Sequence, residues 1–414
     1  MLNERSAQAP SADAARGRAR HDYSYYRDIF QGQRAPFAFL DLDLLQENIH
    51  LTLARAQGKK VRLATKSLRS VEVIRRILAA SPQFQGLMCY TAREAVHLAS
   101  LGFTDLLVGY PIWSEPDIEE VARAVATGAT ITLMVDSIAH VERINAVAER
   151  VGARIPLCLE IDMSLPLPGL RFGVWRSPLR TVSDARPVIA CIQASPSVYL
   201  DGIMGYEAQI AGVGDHFSGQ ALKNGLVRML KGRSTGDVTR RRAAVVALAR
   251  SMGCELRFVN GGGTGSMRTT GAEGAVTEIT VGSGFYGPGL FDHYQEFHYQ
   301  PAAAYAVEIV RRPAADVYTC LGGGYIASGA VGPEKAPVVY LPAGARLDGR
   351  EGAGEVQTPI HYAGPERLAL GDPIFLRHSK AGELCERFTH LSLVSNGALV
   401  ERVTTYRGDG WCFL

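Results

Sequence analysis

The sequence predicts an α/β protein: a (β/α)8 barrel followed by a C-terminal antiparallel β domain. Three features carry this expectation. From Pro36 onward, short apolar runs alternate with helix-like stretches; most breaks between them hold Gly, Pro or Ser; and the helical rhythm stops after about Asp292. Strands of a parallel sheet read as nearly unbroken apolar runs because helices cover both faces. Eight or nine such units over about 250 residues suit a closed barrel, with a doubly wound open sheet as the alternative.

Taken in order, FAFLDLD (37–43) reads as the first strand and LLQENIHLTLARAQG as a helix ending at Gly58. VRLATKS (61–67) is the second strand, followed by the helix SVEVIRRILAA. GLMCYT, DLLVGYP and ITLMVDS are the next three strands, each leading into a helical pattern. PLCLEID (156–162), GIMGYEA (202–208), LRFVNGG (256–262) and TEITVGSG (277–284) continue the series. Beyond it, AAAYAVEIVRR, VYTCLGGGY, APVVYLP, DPIFLRH and HLSLVSNGALVERV are strand-like without long helical patterns between them. The expected organisation is a tail over 1–34, a barrel over 35–292 and a β domain over 293–414.

The charge balance, 44 Lys+Arg against 41 Asp+Glu for a net +3, is too even to indicate a nucleic-acid or membrane-surface partner. The short run Arg240, Arg241, Arg242 reads as a solvated helix end. Seven scattered cysteines without a CxxC pair fit reduced thiols of a cytoplasmic protein. No apolar run is long enough to span a bilayer, and the Ala/Arg/Ser-rich first twenty residues, with no apolar segment, read as a frayed tail.

In a parallel barrel the C-terminal strand ends face the reactive side. Lys66 closes an apolar strand, where desolvation lowers an amine's pKa and readies it for imine chemistry; an ion-pairing lysine is the plainer alternative. Gly261, Gly262, Gly263, Thr264, Gly265 and Ser266 follow a later strand, and Gly282-Ser283-Gly284 the next. Glycines let backbone amides approach an anion, and Thr264 and Ser266 add hydroxyls, so this pair of turns points to phosphate binding. Arg171, in RFGV, is placed to meet a cofactor heteroatom or substrate carboxylate, or else forms a surface ion pair. Tyr206, Glu207 and Gln209 bring donors and acceptors to the barrel mouth, although Tyr206 also reads as a packed aromatic.

As a set, PFAFLDLDLLQENI, VRLATKS, DLLVGYP, RFGV, GIMGYEAQIAG, VNGGGTGS and GSGFYG resemble the D-threonine aldolase / D-serine dehydratase branch of the alanine racemase-type (fold type III) pyridoxal-phosphate enzymes. GYEAQIAG, REGAGEVQTP and RHSKAGELCERF are similar to a bacterial amino acid deaminase/aldolase subgroup. The resemblance implies pyridoxal 5′-phosphate (PLP) bound as a Schiff base on Lys66, a phosphate cradle of Gly262, Gly263, Thr264, Gly282 and Ser283, and contacts from Arg171 and Tyr206. It also implies a homodimer whose active sites lie between barrel and β domain. That branch places a divalent metal on a C-terminal His and on an Asp or Cys two residues later. Here His378 is followed by Lys380, whose ammonium cannot ligate a cation. Glu383 or Cys385 would have to substitute as ligand; otherwise His378 is a metal-free acid/base.

The expected activity is retro-aldol cleavage of β-hydroxy-α-amino acids of D configuration, with His378 and Lys380 handling the hydroxyl proton. The alternatives are a D-serine dehydratase-like deaminase, an amino-acid racemase, and, from another class, a non-catalytic PLP carrier. A single barrel would suffice for the carrier, whereas this chain adds a β domain of about 120 residues.

Overall fold

The computed structural model describes residues 21–329, 332–380 and 382–414, which form two compact units. One comprises the N-terminal segment up to Asp43 with Pro301–Lys380 and His390–Val403; the other comprises Leu44–Gln300, Ala381–Thr389 and Thr404–Leu414.

Strand β1 (Phe37–Asp41) belongs to the first of these units, and the barrel is built from the strands after it. These are β2 (Lys60–Ala64), β3 (Phe84–Cys89), β4 (Leu106–Val108), β5 (Ile131–Val135) and β6 (Ile155–Asp162). A short hairpin, β7 (Leu165–Leu167) and β8 (Leu170–Phe172), interrupts the series before β9 (Val198–Tyr206), β10 (Phe258–Gly261) and β11 (Glu278–Val281) close the barrel. Neighbouring barrel strands are parallel throughout, with β11 returning to β2 in the register Val281 opposite Leu63. Every residue of β5 and β6 is buried, as an apolar strand between barrel interior and helices must be.

Leu107, Met134, Cys158, Met204 and Phe258 fill the interior. Gly202 is required there, because a Cβ would lie 2.3 Å from the Phe258 ring. The covering helices follow the expected pattern. Ile138–Val151, for example, buries Val141, Ile144, Val147 and Ala148, is capped by Ser137 accepting from the His140 amide, and stops at Gly152 with φ +75°.

The sheet unit is mainly antiparallel. Strand β12 (Ala303–Ala314) runs antiparallel to β1, with Phe37 opposite Ala306, and also pairs with β13 (Val317–Leu321). The same sheet contains β14 (Val338–Leu341), β15 (Arg346–Leu347), β16 (Gln357–His361), β17 (Pro373–Arg377), β18 (His390–Ser395) and β19 (Ala398–Thr404). The pairing of β1 with β18 is parallel.

Two sequence expectations change here. FAFLD is not the first barrel strand. An all-apolar run suits the centre of either sheet, and β1 lies between β12 and β18, with Phe39 fully buried against Phe30, Tyr26 and Phe375. Part of the tail expected over 1–34 is folded. Tyr23–Ile29 is a helix capped by Asp22, and Tyr26 donates its hydroxyl to Asp41 at 2.9 Å. The first twenty residues of the expected tail lie outside the described residues.

The seven cysteines are free, with Cys89, Cys158, Cys320 and Cys385 buried. Among the described residues, no helix is long and apolar enough to cross a membrane.

Candidate active site

All barrel strands point the same way, so the residues that follow them gather on one rim of the barrel unit. The turn Thr65–Ser67 directly follows β2 and carries Lys66. The lysine is exposed, so the burial expected of a residue closing an apolar strand does not reach it. Its Nζ instead donates to the Tyr110 hydroxyl at 2.8 Å. The turn beneath it is held firmly. Thr65 donates to the Met88 carbonyl at 3.0 Å, and the Arg69 guanidinium to the Lys66 carbonyl at 2.8 Å. Arg69 in turn pairs with Glu386 at 2.6 Å, and the Tyr286 hydroxyl donates to the Leu68 carbonyl at 2.9 Å.

Strand β11 neighbours β2, which places the turn at Gly282 beside that of Lys66. Ser67 and Ser283 hydroxyls are 3.1 Å apart, and a Cβ on Gly282 would meet Ser67 Cβ and the Ala64 carbonyl at 2.7 Å. A Cβ on Gly284 would lie 3.0 Å from Thr264 Cγ2, so the two glycine turns are in contact. The amides of Thr264, Gly265, Ser283 and Gly284 donate to no other backbone group among the described residues. Amides without backbone acceptors on two touching turns, next to an exposed lysine, fit a phosphate-bearing aldehyde. Thr264 is buried, whereas Ser283 is half-buried.

Ser266 does not serve as expected. Its hydroxyl donates to Glu207 at 2.8 Å and accepts from the Gly263 amide at 3.1 Å, so it braces the loop. Glu207, read from sequence as a group at the mouth, is fully buried; it also accepts from Thr270 and pairs with Arg242 at 2.7 Å. Gln209 is likewise structural, donating to the Met163 carbonyl at 2.6 Å and to Ser234 at 2.8 Å. The solvated reading of Arg240–Arg242 fails for Arg242. That side chain lies mid-helix in Ala221–Ser251, is fully buried, and is clamped by Glu207 and Glu273.

Arg171 lies on β8 and pairs with the buried Asp162 at 2.9 Å, its guanidinium stacked 4.0 Å from the Trp175 ring centre. Its Nε is buried without a hydrogen bond among the described residues. Tyr206 ends β9 half-buried, and burial pushes its phenol up to about 12. Two rim residues escaped the sequence reading. Arg176 spans the rings of Tyr110 and Tyr206 at 5.2 and 5.0 Å and reaches Glu160 at 3.4 Å. Burial raises the Glu160 carboxyl to about 7, against the opposing pull of Arg176. Tyr110 sits two residues past β4, much as Lys66 follows β2, so the strand-end rule applied to tyrosines would have found it. Arg176 lies in irregular chain after the hairpin and had no such signal.

His378 and Lys380 belong to the sheet unit. His378 is buried one residue past β17, and the Lys380 ammonium lies 3.4 Å from the Ser328 carbonyl. Glu383 and Cys385 fall in the barrel unit instead. Burial pushes the Cys385 thiol up to about 12, against the opposing pull of Arg69. Glu383 caps a four-residue helix. Among the described residues, no three His, Cys, Asp or Glu side chains converge as a metal site. The Lys380 ammonium, two residues beyond His378, has no lone pair to offer a cation and does not complete a donor set.

Gly263 offers a direct test of the cradle. A Cβ there would stand 2.9 Å from Ala211 Cβ and 3.2 Å from the Tyr206 ring. Gly263→Val is expected to push the loop away, weakening PLP binding about tenfold or more while moving the melting temperature little. Unchanged PLP affinity with collapsed folding would reduce the loop to a structural turn.

Comparison with known proteins agrees with this geometry. Residues 40–288 match the family described as "Alanine racemase, N-terminal domain". A 3-hydroxy-D-aspartate aldolase of Paracoccus denitrificans (strain Pd 1222) is 27% identical over 252 residues, 60% of this chain and 59% of that protein. A D-threonine aldolase of Arthrobacter sp. is 24% identical over 267 residues, 62% of this chain and 63% of the relative. The chain thus aligns with about three fifths of each curated relative's length. In fold, the crystal structure of D-threonine aldolase from Filomicrobium marinum superposes with a TM-score of 0.76 at 17% identity, covering 92% of this chain and 96% of that one.

Proposed function

The chain belongs to the alanine racemase N-terminal domain family, and from that premise we propose that it is a PLP-dependent lyase acting on β-hydroxy-α-amino acids of D configuration, by aldol cleavage. The observation that carries the reading is the exposed Lys66 amine at a strand end, flanked by two touching glycine turns with unpaired amides. The names of the relatives point the same way, since both act on 3-hydroxy amino acids.

In this reading Lys66 Nζ is the attachment atom, while the turns of Gly262, Gly263, Thr264, Gly282 and Ser283 cradle the phosphate, with the amides of Thr264, Gly265, Ser283 and Gly284 as its donors. When bound, PLP supplies the electron sink for charge developing at the substrate Cα. Lys66, released by substrate, holds the proton that returns to Cα. Arg171 and Tyr206 contact the ring or the substrate, and the Arg171 Nε is the donor with hydrogen-bonding capacity to spare. His378 is the candidate for taking the β-hydroxyl proton, and the Lys380 ammonium for hydrogen-bonding the β-oxygen. A cytoplasmic homodimer is part of the same proposal, and sedimentation of the loaded protein tests its oligomeric state.

A turnover screen with D-threonine, 3-hydroxy-D-aspartate, D-serine and the L-isomers decides the activity. Aldehyde release from a D-3-hydroxy substrate supports aldol cleavage; a 2-oxo acid and ammonia indicate a dehydratase; no turnover leaves a PLP carrier. Catalysis is expected without added divalent metal, because a protonated lysine two residues beyond His378 repels a dication. EDTA should leave the rate nearly unchanged, and Lys380→Met should lower kcat more than it alters PLP binding. Loss on chelation, restored by manganese or zinc, would defeat the metal-free proposal.

A further inference from the structure

Resting on Lys66 as the PLP-binding amine, we propose that Tyr110 is a further catalytic residue, whose hydroxyl exchanges a proton with Lys66 Nζ. The contact is direct: the two atoms are 2.8 Å apart, and the ammonium also lies 5.6 Å from the Tyr110 ring centre. That distance lies within the range for proton transfer without an intervening water.

A second cation sits on the same ring. The Arg176 guanidinium lies 5.2 Å from its centre and is paired with Glu160. The charged and titratable groups around Tyr110 are therefore Lys66 from the turn after β2, Arg176 from the chain after β8, and Tyr206 from the end of β9. Glu160 lies behind Arg176, with Asp136 and Asp162 acting on it in turn. Burial alone would raise the Tyr110 phenol, but Lys66 and Arg176 outweigh it and hold it below its ordinary value. Tyr206, with the same functional group on the same rim, is pushed up to about 12 by burial. Two like groups driven in opposite directions mark one as a proton carrier and the other as a neutral hydrogen-bonding group.

The step balances without any co-reactant. The Lys66 ammonium gives a proton to the Tyr110 phenolate; an N–H bond breaks and an O–H bond forms, leaving a neutral amine and a neutral phenol. The reverse step returns the proton to Nζ. Arg176 stays protonated throughout and stabilises the phenolate.

Tyr110→Phe in the full chain tests this. In PLP-free protein, the pH profile of Lys66 acylation by acetic anhydride, followed by peptide mass spectrometry, is expected to shift by about half a pH unit or more. In PLP-loaded protein, kcat is expected to fall about 10²–10⁴-fold, with KM changing less than about threefold and one limb of the pH profile lost. Should the phenylalanine variant not fold, Arg176→Gln is expected to move that limb upward, since one of the two cations is gone. An unshifted acylation profile, a kcat within about threefold of wild type, or an unmoved limb in Arg176→Gln each overturns the role of Tyr110. Borohydride reduction separates the two levels of the argument. An adduct on another lysine sinks the Lys66 reading itself, whereas an adduct on Lys66 alongside any of those null results removes Tyr110 alone.

Discussion

Lys66→Ala is expected to abolish the visible band of the covalently bound cofactor, at roughly 410–430 nm, and to lower turnover by at least about a thousandfold. Among the described residues, three other lysines of the barrel unit are engaged elsewhere. The Lys59 amine donates to the Glu273 and Val276 carbonyls, Lys60 to the Pro82 carbonyl, and Lys231 to Asp215 at 2.7 Å. Lys66 is exposed and supports no packing, so its removal should leave the melting temperature nearly unchanged. That contrast makes the experiment specific, because a lost band in a fully stable protein can only reflect chemistry at Nζ. Borohydride reduction followed by peptide mapping of the wild type provides the matching positive result, and an adduct on any other lysine would overturn the assignment.

The largest effect on stability is expected at Arg242. Its guanidinium is fully buried between Glu207 and Glu273 and donates to the Gly205 carbonyl at 2.9 Å. A Cβ on Gly261 would stand 2.9 Å from Arg242 Nη2, so backbone packs directly on the cation. Arg242→Met leaves two carboxylates buried without a counter-charge and is expected to destabilise the fold by about 3–5 kcal/mol, measured by urea unfolding. Adding Glu207→Gln and Glu273→Gln should recover part of that loss, because the uncompensated charge disappears. Glu207 also accepts from Ser266 and Thr270, so PLP affinity should fall along with stability. A cost below about 1 kcal/mol would show that the network is not what holds the phosphate loop.

Much of this was legible from residue order alone. The eight barrel strands were recognisable because burial on both faces demands unbroken apolar runs, and a run such as ITLMV has no other economical reading. The lysine turn and the glycine turns were legible as candidates for a related reason: strand ends on one rim are where a parallel barrel gathers reactive groups. The expected organisation, barrel then β domain, follows from the loss of helical periodicity after about Asp292.

What the sequence by itself determined, then, is the kind of fold and the placement of Lys66 and the glycine turns at barrel strand ends, because each depends on local pattern. The tertiary structure alone decided which sheet receives FAFLD, since an apolar strand satisfies either one and only its pairing between β12 and β18 distinguishes them. It alone decided that Arg242, Glu207 and Ser266 brace the loop from within, because burial of a charge depends on partners from remote parts of the chain: Arg242 lies 35 residues from Glu207 and 31 from Glu273. And it alone brought Tyr110 within 2.8 Å of Lys66, from 44 residues away in sequence. Proton exchange depends on that separation in space, which no local pattern encodes.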